Sequence, residues 1–484
     1  MTSPLFLLLN GNFDMIDRTK YQKIHHTRER CMMELSISFT KDITKYVQIY
    51  EEIKVAIINK KLCARDKLPS KRALAKTLNV SIHTVQEAYE QLLAEGYIYS
   101  KERLGYFIAP FEFEWDQHLQ KHTSSASSAI SHTIKYDFHN GHVDKTAFPF
   151  TSWHKLLKKH LNMGNLTTSP WQGEWTLREE IAHYVARSRG VQCEASQVFV
   201  YSGTQNQLQA LCHFFGSKTH VGIEDPGFKR VCSTVQQCGL FAHAIPVDKS
   251  GVTIPTESLH LLYTTPAHQF PLGMVMPIER RAAILQWATS KGAFIIEDDY
   301  DSEFRFKGLP IPSLAKMDQL QRVIYFGTFS KTLIPSLRIS YMILPHSLVD
   351  DYMLFHQDQK SVVSKIDQLA LAEFIAQGLF DKHLAKMRTI YRKKQQTLLA
   401  AIHAHFSEEF KVIGEKSGLH IVVKLPSWLS EQNAIQLAMQ VGIAVYPCSA
   451  SYQQGSQHAM VIIGYGGLTL EQIQEGIALL ASVW

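Results

Sequence analysis

Apolar side chains between residues 40 and 109 recur with the period of an α-helix. The residues that would share one helical face are Tyr46, Ile49, Tyr50, Ile53, Ile57 and Ile58. A turn at residues 67–70 follows this segment and leads into two shorter helical segments. The pattern therefore predicts one longer amphipathic helix followed by two short ones.

Polar residues that commonly cap helices mark the bounds of the two short helices. Ser70 can accept a hydrogen bond from the first turn of one helix, and Asn79 can end that helix. Ser81 can cap the next helix, which ends at Gly96. The apolar positions of these helices are Leu74, Ala75, Leu78, Val85, Ala88, Tyr89, Leu92 and Leu93. Two helices joined by so short a connection indicate a helix-turn-helix.

Two strand-like runs come next, at residues 97–99 and 106–108, on either side of a basic turn. In a winged helix-turn-helix, the second helix can enter a DNA major groove and the hairpin turn can approach a phosphate. The candidates for such contacts are Lys67, Ser70, Lys71, Arg72, Ser81, His83, Thr84, Gln86, Lys101 and Arg103. Residues 40–109 hold twelve Lys or Arg against eight Asp or Glu. The pattern favours double-stranded DNA as a partner over the alternative, a structural helical hairpin with a solvated basic face.

The chain changes character after residue 110. Residues 111–135 are polar and rich in serine, which predicts a flexible linker. Strand candidates then alternate with helical segments, at 198–201, 220–223, 261–263, 293–296 and 323–326, and later at 420–424, 444–446 and 460–463. This alternation predicts an α/β domain with a large, mainly parallel sheet and a smaller α+β lobe at the C-terminal end. We therefore expect an N-terminal extension at 1–38, a DNA-binding domain at 39–110, the linker, and a second domain at 136–484.

Composition narrows the classes of protein to which the chain can belong. The 484 residues are 45% hydrophobic and 19% charged, which excludes a mainly disordered chain. The net charge of +6 is mild for this length, so the DNA prediction depends on the local basic segment. Seven cysteines without a CxxC pair, and no HExxH motif, disfavour a disulfide scaffold and a metal site, and favour a cytoplasmic location. The apolar run at residues 5–9 is too short for a signal peptide or a membrane span.

Two segments of the second domain carry polar groups to the ends of predicted strands. The run at 294–300 ends in acids and a tyrosine, and the run at 323–331 ends in hydroxyl groups and Lys331. In open α/β sheets, ligands bind beyond the carboxyl ends of the strands. A buried lysine there is a candidate Schiff-base former, since burial lowers its pKa and frees the amine. Pyridoxal 5'-phosphate (PLP) needs such a lysine and an acid at its ring nitrogen, for which Asp298 is the candidate, while Tyr300 can bond the phenolic oxygen.

Donors for a phosphate group occur in two other places. Gly203, Thr204 and Gln205 follow a predicted strand and open a helix, so their N–H groups can hold a dianion. Thr328, Ser330 and Arg338 can complete the phosphate site. Phe228 follows another strand and can pack against the face of a ring. Each feature alone also fits a plainer interpretation, such as a solvated lysine, a core phenylalanine or a loop rich in acids.

The N-terminal motif resembles a known family of DNA-binding domains. The matching residues are 68–75 (LPSKRALA), 80–81, 84–85, 88–89 and 95–98, in the order and spacing of the winged helix of GntR-type regulators. One position departs from the family, which often has arginine directly after the turn serine. Here that residue is Ile82. A base or phosphate contact can be lost there, so the departure concerns the operator sequence more than DNA binding itself.

The C-terminal motifs extend the resemblance to the whole chain from about residue 40. Residues 265–273 (TPAHQFPLG), 297–304 (EDDYDSEF), 327–333 (GTFSKTL) and 335–338 (PSLR) are similar to MocR/GabR-type regulators, which join a GntR winged helix to a fold type I aminotransferase-like domain. The resemblance implies that Lys331 bonds PLP covalently, that Asp298 and Tyr300 contact its ring, and that Arg338 contacts its phosphate. We also place His268 in the cofactor site. The resemblance further implies a head-to-tail homodimer, with each winged helix against the partner's PLP domain.

One residue that aminotransferases usually have is missing. They hold the substrate carboxylate with an arginine in the C-terminal lobe, and the last arginine here is Arg392. Lys416, Lys424 or His420 could replace it, although two solvated lysines and a packing histidine are the favoured interpretation. An amino-acid effector bound in the usual way is therefore in doubt, and PLP itself becomes a candidate signal.

Three functions remain open from the sequence. The first is a transcriptional regulator in which PLP, or a PLP–amine adduct, at Lys331 modulates promoter binding by a dimer. The second is an aminotransferase with an accessory DNA-binding domain. The third, a structural or repressor protein with an empty cofactor pocket, is disfavoured because Lys331, Asp298 and Arg338 are all present. The expected partners are double-stranded DNA, a second copy of the chain and a small amine or amino acid, without a membrane.

Overall fold

The computed structural model of the protein describes residues 37, 39–40, 43–110, 134–306, 311–453, 455 and 458–484. The chain divides into two compact units, residues 1–127 and 128–484. The predicted extension at 1–38 and the predicted linker at 111–135 lie almost entirely outside the described residues. Within the described part, no helix is both long enough and apolar enough to cross a membrane.

The described part of the first unit contains three helices and a two-stranded hairpin. These are α1 (Lys45–Ile58), α2 (Lys71–Leu78), α3 (Ile82–Ala94), β1 (Ile98–Lys101) and β2 (Gly105–Ile108). The strands are antiparallel. The predicted caps are confirmed, because Ser70 Oγ accepts from the Ala73 N–H at 3.2 Å and Ser81 Oγ accepts from the Thr84 N–H at 3.1 Å. Asn79 ends α2 in the left-handed conformation, with φ of 51°.

One apolar cluster holds the first unit together. Its fully buried members are Ile49, Ile53, Val85, Ala88, Tyr89 and Leu92. The Tyr89 hydroxyl donates to the Pro69 carbonyl at 2.9 Å and so joins α3 to the turn before α2. The prediction for Ile58 was wrong, because its side chain at the last position of α1 is exposed. The buried stripe of α1 follows Ile49, Ile53 and Ile57 instead, one residue per turn.

The second unit is a large α/β lobe joined to a small α+β lobe. Its strands are β3 (Tyr136–Asp137), β4 (Val198–Tyr201), β5 (His220–Asp225), β6 (Phe241–Asp248), β7 (Gly251–Val252), β8 (Leu261–Thr264), β9 (Phe294–Asp299), β10 (Val323–Thr328), β11 (Ser340–Ile343), β12 (Lys411–Ile413), β13 (His420–Lys424), β14 (Ile443–Ala444), β15 (Tyr446–Pro447) and β16 (Met460–Gly464). Its helices are α4 (Phe150–His160), α5 (Trp175–Arg189), α6 (Thr204–Phe215), α7 (Lys229–Gln237), α8 (Ile278–Lys291), α9 (Leu314–Met317), α10 (His346–Phe355), α11 (Lys365–Ala376), α12 (Leu379–His405), α13 (Glu431–Gln440) and α14 (Leu470–Ala481).

The large sheet has eight strands in the order β4-β11-β10-β9-β8-β5-β6-β7. The five strands from β10 to β6 are mutually parallel, whereas β11 is antiparallel to both of its neighbours and β7 is antiparallel to β6. The mainly parallel α/β sheet is therefore confirmed. Strands such as β4 and β8 are buried along their whole length, which is why their sequences are continuously apolar.

The strands that carry the candidate site are longer than predicted. β9 continues through Asp298 and Asp299, and β10 continues to Thr328, so acids and hydroxyls stand on the last strand positions. The small lobe contains an antiparallel sheet in the order β12-β13-β16-β15. The single strand predicted at 444–446 is in fact two short strands, and β14 pairs with β3 while β15 pairs with β16.

Candidate functional site

A cavity of about 270 Å³ opens at the carboxyl ends of β9 and β10 and the first turn of α6. It is lined by Gly203, Thr204, Gln205, Leu208, Phe228, Arg230, Val231, Thr234, Tyr263, Asp298, Tyr300, Thr328, Ser330, Lys331 and Arg338. The fold thus brings together ten of the eleven residues predicted for the cofactor site. The other one, His268, is buried nearby and does not line the cavity.

Lys331 lies three residues beyond the end of β10, on the cavity wall. Burial lowers the pKa of its amine to about 8, and the nearby Asp301 carboxylate opposes this shift. The Nζ atom donates to the Asn140 carbonyl at 2.6 Å. A substantial fraction of the amine is therefore neutral near pH 8, and the neutral form is the one that attacks an aldehyde.

Asp298 is a buried carboxylate, and only one of its two oxygens accepts a hydrogen bond from the described residues. The Tyr263 hydroxyl donates to Oδ2, whereas Oδ1 has no hydrogen-bond partner among the described residues. Burial raises the pKa of Asp298 to about 7, which the bond from Tyr263 opposes. A buried oxygen without a donor is costly, so this atom is suited to accept a hydrogen bond from a bound group.

Asp298 and Asp299 face opposite sides of the sheet, because successive side chains of a strand alternate. Asp299 Oδ2 accepts hydrogen bonds from Arg189 Nε and, at 2.6 Å, from the Tyr325 hydroxyl. Arg189 is itself buried and also donates to the Ile311 carbonyl at 2.6 Å. Only Asp298 of the pair therefore points a carboxylate into the cavity.

Tyr300 borders the cavity and is held from behind by a buried histidine. Its hydroxyl lies 3.0 Å from His268 Nδ1, and that nitrogen also lies 3.0 Å from both oxygens of Asp301. His268 thus acts on the cavity through the Tyr300 phenol rather than by lining it. The Gly418 and Gly273 positions pack against the His268 ring, where a side chain on Gly418 would overlap it.

His268, Asp301 and His420 also form a group whose ligand atoms lie within 4.8 Å of one another. The sequence predicted no metal site, and this geometry is the one described place where three such ligands converge. The atoms have other partners, however, since His420 Nε2 bonds the Pro271 carbonyl at 2.9 Å and His268 Nδ1 bonds Asp301. Burial, together with the adjacent His268, lowers the pKa of His420 to about 3.

The opposite end of the cavity is built for an anion. Gly203 precedes α6 with φ of 87°, and a side-chain carbon there would lie 2.6 Å from Arg338 Nη2. Arg338 Nη2 donates to the Ser202 carbonyl at 3.1 Å, and the Ser330 N–H donates to Thr328 Oγ1 at 3.2 Å. The Asn206 N–H already donates to the Gly203 carbonyl at 3.0 Å, so the N–H groups of Thr204 and Gln205, which line the cavity at the start of α6, are the ones suited to an anion.

Phe228 supplies an aromatic wall to the cavity. Its ring stacks on Phe270 with the centroids 3.9 Å apart and meets Tyr300 edge-on at 5.2 Å. The sequence missed two residues that matter here, Arg230 and Tyr263. Arg230 lies only two positions after Phe228 in the first turn of α7, so proximity along the chain could have indicated it. Tyr263 on β8 becomes relevant only because β8 pairs with β9.

The cavity fits PLP on the donor and acceptor chemistry of its walls. Arg338 and the N–H groups of Thr204 and Gln205 suit a phosphate, the free Oδ1 of Asp298 suits a protonated ring nitrogen, and Lys331 supplies the amine. The phosphate donors, the Asp298 carboxylate and the Lys331 amine all line this one cavity. Thr328 and Ser330 add hydroxyl groups at the phosphate end.

The candidate DNA contacts all lie on the first unit. Those on its surface are Lys67, Ser70, Arg72, Ser81, His83, Lys101 and Arg103, whereas Lys71, Thr84 and Gln86 are partly buried. Lys71 Nζ donates to Gln86 Oε1 at 3.4 Å, so these two side chains contact each other across α2 and α3. Ile82 is also exposed, at the position where GntR-type domains often have arginine.

Comparison with known proteins agrees with this architecture. Residues 45–108 match the family of bacterial regulatory proteins called gntR, and residues 135–478 match aminotransferase class I and II. The HTH-type transcriptional regulator YhdI of Bacillus subtilis is 43% identical over 91% of this chain and 95% of its own. The probable rhizopine catabolism regulatory protein MocR of Rhizobium meliloti is 32% identical over 92% of this chain and 94% of its own. The chain belongs to the MocR-type regulators.

A MocR-type regulator joins a GntR-type DNA-binding domain to an aminotransferase-like domain whose cofactor is PLP, and both parts are present here. The fold of the second part is that of α-aminoadipate aminotransferase LysN from Thermus thermophilus, with a TM-score of 0.65 and 24% identity over 73% of this chain and 92% of that one. The predicted family, fold class and cofactor are thus confirmed. DNA binding by the first unit follows from its GntR-type domain.

Proposed function

We propose that PLP, alone or joined to a small amine, is the signal that this regulator senses at Lys331. The observation that carries the proposal is the cavity itself. It combines the low-pKa amine of Lys331, the free Oδ1 of Asp298 and the phosphate-binding end formed by Gly203 and Arg338. Burying such polar groups together costs free energy unless a bound ligand satisfies them, and clusters of this kind are typical of functional sites.

The residues of the cavity each have a defined task in this proposal. Arg338 and the N–H groups at the start of α6 bind the phosphate, and Asp298 keeps a proton on the ring nitrogen. His268 and Asp301 orient the Tyr300 hydroxyl toward the phenolic oxygen. When bound, PLP supplies an aldehyde for primary amines and a ring that withdraws electrons. Lys331 supplies the amine of the protein, and Phe228 packs against the ring.

An amine effector with a carboxylate would need a cation in the same cavity. Lys416 and Lys424 are exposed outside its walls, and His420 is buried with Nε2 on a carbonyl, so none of these replaces the absent late arginine. Arg230 lines the cavity and, among the described residues, no hydrogen bond or ion pair occupies its guanidinium. We propose that Arg230 binds the carboxylate of such an effector.

Signal transfer requires two arrangements of the protein with different affinities for the ligand. A ligand that binds both equally changes nothing. We propose that the protein is a homodimer, that residues 111–135 connect its domains, and that cofactor or adduct occupancy changes how the two winged helices are spaced. Exposed apolar side chains on and after α4, namely Phe150, Leu161, Met163, Leu166 and Trp175, support a surface that a second copy covers.

The test is a titration of labelled promoter DNA with apo-protein, in which fluorescence anisotropy reports the binding. PLP is added alone and then with a panel of amines and amino acids, and light scattering reports the dimer. We expect the affinity for promoter DNA to change when PLP or one PLP–amine combination is added. In Lys331→Ala, the same additions should leave that affinity unchanged. Affinity that stays constant under every addition would refute the sensor, and a monomer under all conditions would refute the dimer.

The second candidate is an aminotransferase with an attached DNA-binding domain. Lys331 and Asp298 favour it, since transamination needs the same amine and the same ring-nitrogen partner. The absence of an arginine after Arg392 argues against efficient turnover. Holo-protein incubated with an amino acid and a keto acid distinguishes the two, because many turnovers per Lys331 indicate an enzyme and at most one indicates a sensor.

A further inference from the structure

A second cavity of about 530 Å³ lies in the same unit and shares no lining residue with the cofactor cavity. It is lined by Tyr184, Arg187, Ser188, Arg189, Ser302, Glu303, Arg305, Asp381, Arg388 and Arg392. These residues come from α5, the segment after β9, and α12. Neither the predicted cofactor site nor the predicted DNA contacts include any of them.

Positive charge dominates the walls of this second cavity, with five arginines against two carboxylates. Arg187 lies 3.5 Å from Asp381, and Arg388 Nε donates to the Glu303 carbonyl at 2.8 Å. Within the described ranges, the guanidinium groups of Arg305 and Arg392 form no hydrogen bond or ion pair. The cavity therefore contains more cationic donors than its own acceptors satisfy.

Buried polar atoms around the cavity are also without partners among the described residues. They are Nη2 of Arg189, Nε of Arg305, Oγ of Ser302 and Oε2 of Glu303. Arg189 is 5% exposed, and its Nε is already bonded to Asp299. Unsatisfied buried donors are costly, and three of these four groups can donate to an oxyanion.

The two carboxylates do not cancel this charge. Burial raises the pKa of Glu303 to about 7, helped by the adjacent Asp299, so the group is partly neutral at physiological pH. Its Oε1 already accepts a hydrogen bond of 2.6 Å from Tyr184. Asp381 is exposed at the rim of the cavity and forms an ion pair with Arg187. The interior of the cavity thus retains a net positive charge.

We propose that this cavity binds a small, multiply charged oxyanion of the phosphate or pyrophosphate class, held mainly by Arg305 and Arg392. The planar guanidinium group matches two oxygens of such an anion at once, and several of them converge here. The volume accommodates a pyrophosphate-sized group. This site is separate from the phosphate end of the cofactor cavity, and it does not depend on the function proposed for Lys331.

The test uses full-length protein loaded with PLP, so that the cofactor's own phosphate fills the first cavity. Inorganic phosphate, pyrophosphate and citrate are titrated by calorimetry at constant ionic strength. We expect pyrophosphate or phosphate to bind, and Arg392→Gln and Arg305→Gln each to weaken that binding about tenfold or more. Lys393→Gln is the matched control, since Lys393 is the exposed neighbour of Arg392 on α12 and does not line the cavity.

Each outcome decides the proposal. Equal affinity in wild type, Arg392→Gln and Arg305→Gln would overturn it, as would an absence of binding by all three anions. Loss of binding in Arg338→Gln alone would place the anion at the cofactor cavity and also overturn it. Tighter binding of citrate than of either phosphate would overturn the assignment to the phosphate class. Arg189 is left unchanged, because its buried pair with Asp299 makes a folding defect the expected result.

Discussion

The hydroxyl of Tyr263 donates a hydrogen bond to Oδ2 of Asp298, and the other oxygen of this carboxylate, Oδ1, has no hydrogen-bond partner among the described residues. The two residues lie on adjacent parallel strands, β8 and β9. The tyrosine thereby orients the acid and lowers its pKa relative to burial alone. Asp298 can remain an acceptor in a site that would otherwise favour its neutral form.

Tyr263→Phe should weaken PLP binding without removing the lysine that reacts with it. The change leaves a buried carboxylate oxygen without its donor, which costs about 1–3 kcal/mol, and raises the pKa of Asp298 further. We expect the equilibrium affinity for PLP to fall by about tenfold, measured by fluorescence quenching. Tyr325→Phe, which removes a similar bond from Asp299 outside the cavity, should leave PLP affinity near wild type.

Lys331→Ala should abolish covalent capture of PLP while the protein stays folded. In the wild type, reduction with borohydride should add the mass of the cofactor at Lys331, and the variant should gain none. Because burial lowers the pKa of Lys331 to about 8, the rate of capture by apo-protein should rise up to about pH 8 and then level. A rate that keeps rising toward pH 10.5 would contradict a buried amine.

Gly203→Ala should damage the phosphate end of the cavity specifically. Alanine there is strained at a φ of 87°, and its side-chain carbon would approach Arg338 Nη2 to 2.6 Å. Gly216→Ala is a matched control at the other end of α6, since Gly216 has φ of 79° but open space around it. Both variants should lose about 1 kcal/mol of stability by thermal unfolding. Only Gly203→Ala should lower PLP affinity, by about tenfold or more, and equal losses would contradict the contact with Arg338.

The stability of the apo-protein should fall as pH rises from 5 to 8. Asp298 has a pKa of about 7 in the folded protein, against an ordinary pKa of 3.8 for an aspartate in the unfolded chain, so its protonated form stabilises the fold at low pH and that stability is lost as the pH passes 7. Asp298→Asn should flatten this part of the curve, by an amount on the order of a few kcal/mol. The measurement is chemical denaturation of apo-protein at several pH values, with exposed Asp350→Asn as the control that keeps the wild-type slope.

Arg72→Gln should weaken DNA binding uniformly across sequences. Arg72 is exposed in the first turn of α2, beside the cap at Ser70. If it contacts one phosphate, the slope of log affinity against log salt should decrease by about 0.9. Lys218→Gln, exposed in the other unit, should change neither affinity nor slope. A loss confined to one operator sequence would instead indicate that Arg72 contacts a base.

Local sequence determined the secondary structure that carries both functions. Ser70, Asn79 and Ser81 set the bounds of α2 and α3, because capping depends on groups within three or four residues. Apolar runs in the sequence predicted the fully buried parallel strands. Their carboxyl ends were not predicted, because acids such as Asp298 interrupt the apolar pattern while the hydrogen bonds between the strands continue.

The sequence also indicated the candidate cofactor site, because Lys331, Asp298, Tyr300 and Arg338 stand in motifs with distinctive neighbours. The tertiary structure decided what surrounds them. Tyr263 reaches Asp298 through strand pairing, and His268 lies behind Tyr300 because the segments that follow β8 and β9 leave paired strands of the large sheet. The second cavity combines α5, the segment after β9 and α12, which are far apart in sequence. Such convergence depends on non-local packing, for which neither periodicity nor capping contains information.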